Sequence, residues 1–102
     1  MIWRVLPEAQ GEAIEAAVWY EERQRSLGEE FLDEIESAFE HIRLGADSLS
    51  RMEPYSGQLD IRRLLLRRFP YAVIILRRLE ETVVVAVAHT RRRPLYWLDR
   101  VN

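Results

Sequence analysis

The residues of this 102-residue sequence with the types and spacing for chemistry gather in one stretch, "HTRRRPLYWLDR" at 89–100. His89 titrates near neutrality and suits acid–base work. Arg91, Arg92 and Arg93 offer planar forks that match phosphate or carboxylate oxygens. Tyr96 and Trp97 add a hydroxyl and stacking surface. RNA cleavage that leaves a cyclic phosphate needs a group to take the 2′-hydroxyl proton, a group to protonate the leaving oxygen, and cations for the charge gathering on phosphorus. His89, Tyr96 and Arg91 or Arg92 have the types for those roles, with Arg62, Arg67 and Arg68 upstream as further cations.

Each of these residues also has a plainer reading. Alternation along an extended 61–68 puts Arg62 and Arg68 on one face and Arg63 and Arg67 on the other, so they do not converge on one phosphate. His89 closes an apolar run, shares parity with Val83, Val85 and Val87, and fits a strand end bonded to backbone. The arginine run fits a solvated edge that grips a polyanion through salt-dependent contacts and stacking, or an acidic protein segment. Trp97, beyond Pro94, fits packing against a sheet face, while Tyr96 stays open between the readings. His41 sits among glutamates on a helix as an ordinary surface or boundary residue. No Gly-rich phosphate loop, metal-ligand spacing or Ser/His/Asp set occurs, so no metal or cofactor is expected.

The length allows one domain, residues 1–102. With 48% hydrophobic and 31% charged residues the chain should fold. Without cysteine it has neither disulfides nor thiolate sites. The N-terminus does not read as a signal peptide and no apolar run is long enough to span a membrane, so a cytoplasmic location is expected. All fifteen cationic side chains are arginine, and the net charge of −2 hides a division. Residues 1–54 hold thirteen acidic side chains against five arginines, and residues 55–102 four against ten. A basic half suggests a polyanionic or acidic partner.

The elements that must position this stretch follow from periodicity. "IWRVL" (2–6) reads as a strand that stops at Pro7, and 7–24 as a helix with Ala13, Ile14, Ala17 and Val18 along its buried stripe. Ser26 and Glu29 fit a capping box that opens a second helix carrying Phe31, Leu32, Ile35, Ala38, Phe39 and Ile42. So short a break predicts an antiparallel helical hairpin, with Trp19, Tyr20, Phe31 and Phe39 in the core. Residues 44–60 read as a loop, and 61–68, 71–78 and 82–89 as a meander of strands. The last two strands are apolar on both faces and so need cover on both. The fold class is α+β, β-α-α-β-β-β, a helical hairpin packed on a small mainly antiparallel sheet, with the first strand at an edge and a short C-terminal segment.

This order, together with "AAVWYEERQRSLGEEFLDEIESAFEHI" (16–42), "RRLLLRRFPYAVII" (62–75) and "VVVAVAHTRRRPLYW" (83–97), resembles the RelE/ParE toxin superfamily of type II toxin–antitoxin systems, also called plasmid stabilisation proteins. Trp19-Tyr20-Glu21, Leu27-Gly28-Glu29-Glu30-Phe31, Phe69-Pro70-Tyr71 and the closing His89-x-x-Arg92-x-Pro94 resemble its ParE-like branch. The resemblance implies a toxin neutralised by a cognate antitoxin whose C-terminal arm wraps it in a hetero-oligomer. It also implies a target: DNA gyrase for ParE-like members, or ribosome-bound mRNA for the RelE-like endoribonucleases. A third reading is a non-toxic interaction protein of the same fold. The ParE-like strings and the missing lysines favour gyrase poisoning without catalysis, with Arg62, Arg67, Arg68, Arg91, Arg92, Arg93, Tyr96 and Trp97 facing target or antitoxin. The antitoxin is expected to lay an apolar and acidic segment over the sheet and the basic half.

Overall fold

The computed structural model describes residues 2–52 and 55–101; Glu53 and Pro54, within the expected 44–60 loop, lie outside the described residues. Strand β1 (Ile2–Val5) leads into α1 (Pro7–Arg23) and α2 (Leu27–Gly45), then a 3-10 turn and a two-residue strand β2 (Ser50–Arg51). The meander follows as β3 (Asp60–Leu65), β4 (Tyr71–Arg77) and β5 (Glu81–His89), and a 3-10 turn at Leu98–Arg100 closes the described chain. The sheet order is β1-β5-β4-β3-β2, with β1 parallel to β5 and the other pairs antiparallel. This is the expected α+β fold with β2 added, a strand too short for periodicity to reveal.

The helical hairpin covers one face. Ala9, Ala13, Ala16 and Ala17 of α1 are buried and bring it close to the sheet and to α2. Ile14 and Val18, expected on that stripe, are instead 52% and 54% exposed, and Trp19, expected in the core, is 50% exposed. The inward arc of α1 is narrow because small side chains leave no room for larger ones beside them. Phe31 is fully buried against Phe69 (5.1 Å), Tyr71 (5.1 Å) and Tyr20 (5.4 Å), edge-to-face or tilted.

The hairpin turn departs from the capping box. Ser26 adopts a left-handed conformation (φ 71°) and its side chain makes no cap bond. The carboxylate of Glu21 does the capping from the preceding helix, accepting from the Ser26 amide at 2.9 Å and the Gly28 amide at 3.0 Å. Gly28 is required for that approach, since a Cβ there would stand 2.4 Å from the carbonyl oxygen of Ala17.

The opposite face is covered by the chain itself. Residues 90–101 form a strap that lays Trp97, 1% exposed, over Ala72, Ile74, Leu76, Val83, Val85, Ala86 and Ala88. The second apolar face of β4 and β5 is therefore met within the chain, by the packing that one reading of Trp97 expected. A bulge in β5 opposite Ile74/Ile75 shifts the alternation, so Val83 and Val85 face the strap while Val84 and Val87 face the helices. His89 thus does not share a face with Val83 and Val85 as plain parity suggests.

Part of the charge division of the sequence closes within the fold. Arg68 pairs with Glu30 at 2.7 Å, Arg77 with Asp47, and Arg92 and Arg100 with Glu12. Four arginines of the basic half thus bind carboxylates of the acidic half.

Candidate functional site

Strand β1 pairs with β5 only as far as Val84, and the chain then turns into α1. Beyond Val84 no strand among the described residues lies beside this edge of β5, and unpaired peptide groups there are a liability. Side chains satisfy them. The Val87 amide donates to Glu12 Oε1 at 3.0 Å, and the Val85 carbonyl accepts from Arg100 Nη1 at 3.0 Å.

Glu12 is the centre of this edge. Its two oxygens accept the fork of Arg100 (3.0 and 3.0 Å), the Tyr96 hydroxyl (2.6 Å) and Arg92 Nη1 (3.3 Å). The Arg92 guanidinium also lies 3.7 Å from the Tyr96 ring centroid. Burial alone would push the Glu12 carboxyl up, but the bonds from Arg100, Tyr96 and the Val87 amide outweigh it and hold the carboxyl below its ordinary value. Tyr96 moves the other way: burial, then its bond to the Glu12 carboxylate, drives the phenol well above its usual value. Arg100 is raised by its bond to Glu12.

The strap reaches this position through Leu95, whose φ of 62° turns the chain after Pro94. Successive side chains then diverge, Tyr96 to Glu12 and Trp97 under the sheet. Of the residues expected to face a partner, Trp97 is therefore reassigned to the core. Arg62 is likewise internal, 13% exposed, bonded to Asp60 at 2.9 Å and to the carbonyls of Asp47 and Leu49. Arg67 and Arg68 lie past the end of β3, so strand parity does not govern them. Glu34 accepts from both their backbone amides, and Arg68 pairs with Glu30.

His89 stacks edge-on against Tyr71 at 5.1 Å, and its Nδ1 accepts the Arg91 amide at 3.0 Å. With Arg63, Arg92, Arg93 and Tyr96 it rims a cavity of about 130 Å³ floored by Ala72, Ile74, Ala88 and Trp97. Among the described residues Arg63, Arg67, Arg91 and Arg93 have no ion-pair partner, no group of His, Asp and Glu is placed to hold a metal, and no helix is long and apolar enough to cross a membrane. The structure thus brings His89, Arg92, Arg93 and Tyr96 to one cavity and leaves Arg62, Arg67 and Arg68 elsewhere. Reading the sequence missed Glu12, Arg100 and Arg63. The only trace of Glu12 was its position beside Ala13 at the buried margin of α1.

No protein-family profile matches the sequence, and no curated protein is recognisably similar to it. Among solved structures the chain is similar to one titled "Chromosomal ParDE TA system from P. aeruginosa", with a TM-score of 0.58 and 17% identity over 87% of this chain and 95% of that one. At that identity the likeness is one of fold. The chain shares the fold of that ParDE-system chain, a helical hairpin on a five-stranded mixed sheet.

Proposed function

We propose that this chain is the toxin of a type II toxin–antitoxin pair, neutralised by a cognate antitoxin. We further propose that it arrests growth by binding an essential machine, DNA gyrase, rather than by cutting RNA. The observation that supports the pairing is the match in fold, nearly end to end, with a chain of a ParDE system. The preference for binding over catalysis rests on Glu12. It occupies the Tyr96 hydroxyl and pairs Arg92, so two of the candidate catalytic groups are spent within the fold. The surface left for partners is the arginine edge of Arg91, Arg93 and Arg63, matched to an acidic stretch of antitoxin or target. The toxin acts in the cytoplasm, where both candidate targets reside.

The experiment is induction of the chain without antitoxin, followed by gyrase supercoiling and cleavage-complex assays with the purified protein. Growth arrest with accumulating cleavage complexes is expected. Arrest at concentrations that leave gyrase untouched would sink the gyrase reading.

The basic rim of the cavity at His89 favours a second reading, a ribosome-dependent endoribonuclease. Primer extension on ribosome-bound messages would then show toxin-dependent cuts, and His89→Ala would lower them by ~10²–10⁴. Absence of cuts removes it.

A further inference from the structure

A second cleft shares His89 and Arg92 with the arginine-rimmed cavity but adds carboxylates and an aromatic wall. It lies between the outer face of α1 and the ends of β4 and β5, with a volume of about 470 Å³. Its wall is a continuous chain of rings. Trp19 meets Tyr20 at 5.2 Å, Tyr20 meets Tyr71 at 6.2 Å, and Tyr71 meets His89 at 5.1 Å. Two carboxylates line it, Glu12 and Glu15, and they differ in one respect. Glu12 is compensated by Arg100 and Arg92, whereas Glu15, one turn further along α1, has no ion-pair or hydrogen-bond partner among the described residues. The hydroxyls of Tyr20 and Tyr71 have none either.

We propose that this cleft is a docking site for an arginine side chain presented by a basic segment of a protein partner, the guanidinium lying against the aromatic wall and pairing with Glu15. Ring faces attract cations electrostatically, and a planar guanidinium stacks as well as pairs. The protein shows the same recognition on both sides of the cleft: Arg23 lies 3.6 Å from the Trp19 ring centroid, and Arg92 lies 3.7 Å from that of Tyr96 while pairing with Glu12. The local field has the required sign. Burial raises the Tyr71 phenol, and the negative charges of Glu12 and Glu15 raise it further. The unpaired carboxylate of Glu15 disfavours a phosphate against the aromatic wall and favours a cation there. The surrounding surface also fits a basic segment, since α1 carries Glu8, Glu12, Glu15, Glu21 and Glu22 against Arg23 alone. The inference does not depend on the toxin reading, because the residue that pairs with the occupant, Glu15, and the ring of Trp19 play no part in that reading.

The test is an NMR titration of the intact chain with N-acetyl-arginine methylamide, with the citrulline analogue as an uncharged probe of the same shape. Saturable millimolar shifts are expected at the Trp19 indole N–H and at Tyr71 and His89. Glu15→Gln should weaken binding about fivefold, the scale of one partly exposed ion pair. Glu36→Gln on α2 should leave it unchanged, and the citrulline probe should shift nothing. Equal binding of the two probes, binding insensitive to Glu15→Gln, or shifts centred on Trp3 or Trp97 would each overturn the proposal. Gyrase and message-cleavage assays are independent of all these outcomes.

Discussion

The two faces of the sheet are covered by unequal amounts of chain. Two helices, Pro7–Arg23 and Leu27–Gly45, shield one face through a broad core of alanines, isoleucines and an aromatic cluster. The other is shielded by a strap of about a dozen residues whose one large, fully buried side chain is Trp97. A helix repeats one backbone hydrogen bond along its length, while this strap has only short turns and needs side chains to tie it down. Its Arg92, Tyr96 and Arg100 side chains converge on Glu12 at the edge where the faces meet. The difference teaches that a thin layer can complete a core when one large apolar anchor is combined with one carboxylate that gathers several donors.

The largest test compares the anchors. Phe31→Ala and Trp97→Ala should each lower stability by about 3–5 kcal/mol in denaturant titrations, because each empties a fully buried aromatic site. Their local signatures should differ. Trp97→Ala should quicken amide exchange first at Val87, whose partner sits at the strap edge, whereas Phe31→Ala should quicken it across the helical face. A cost for Trp97→Ala below ~1 kcal/mol would mean the strap is not a second wall.

Glu12→Gln tests the carboxylate with little change of shape. It removes the charge that Arg100 and Arg92 face, and should cost about 1–3 kcal/mol, the scale of charge-assisted hydrogen bonds. Its pH dependence has a definite sign. The folded carboxyl titrates below its ordinary value of 4.5, so its contribution is fully present above that pH and fades as pH falls through the lower, folded value. The acid limb of the stability profile should therefore be shallower in Glu12→Gln than in the wild type. Identical acid limbs would show that Glu12 does not hold the strap in solution.

The sequence carried those parts of the fold that depend on neighbours along the chain. Helical spacing from Phe31 to Ile42, alternation in 71–89 and the stop at Pro7 place the hairpin, the meander and the edge strand before any coordinates. The site was less legible for a physical reason. Glu12 takes its partners from 75 to 88 residues away, at Val87, Tyr96 and Arg100, and local pattern holds no record of such pairing. The bulge in β5 similarly moved Val83 and Val85 away from the face of His89, because one extra residue reverses every later assignment. The cluster of histidine, arginines and aromatics was visible from the start. What stayed hidden was that the fold itself uses Arg92 and Tyr96, whereas the packing of Trp97 on the sheet was already one of its two readings.

Glu21 extends the comparison to the hairpin face and carries the smallest effect. It lies on the same helix as Glu12 and does a parallel task, holding backbone amides at the α1–α2 turn as Glu12 holds the β5 edge, but near the surface and with two donors instead of five. Glu21→Ala should cost about 0.5–2 kcal/mol, the range for losing a helix N-cap. Ser26→Ala should cost almost nothing, because the serine side chain makes no cap bond. Ser26→Gly should stabilise the chain slightly, since a residue at φ 71° is relieved when its Cβ is removed. Thermal melts of the three variants decide the matter by their order. If Ser26→Ala falls as far as Glu21→Ala, the serine caps α2 in solution, and the likeness between the two carboxylates of α1 is lost.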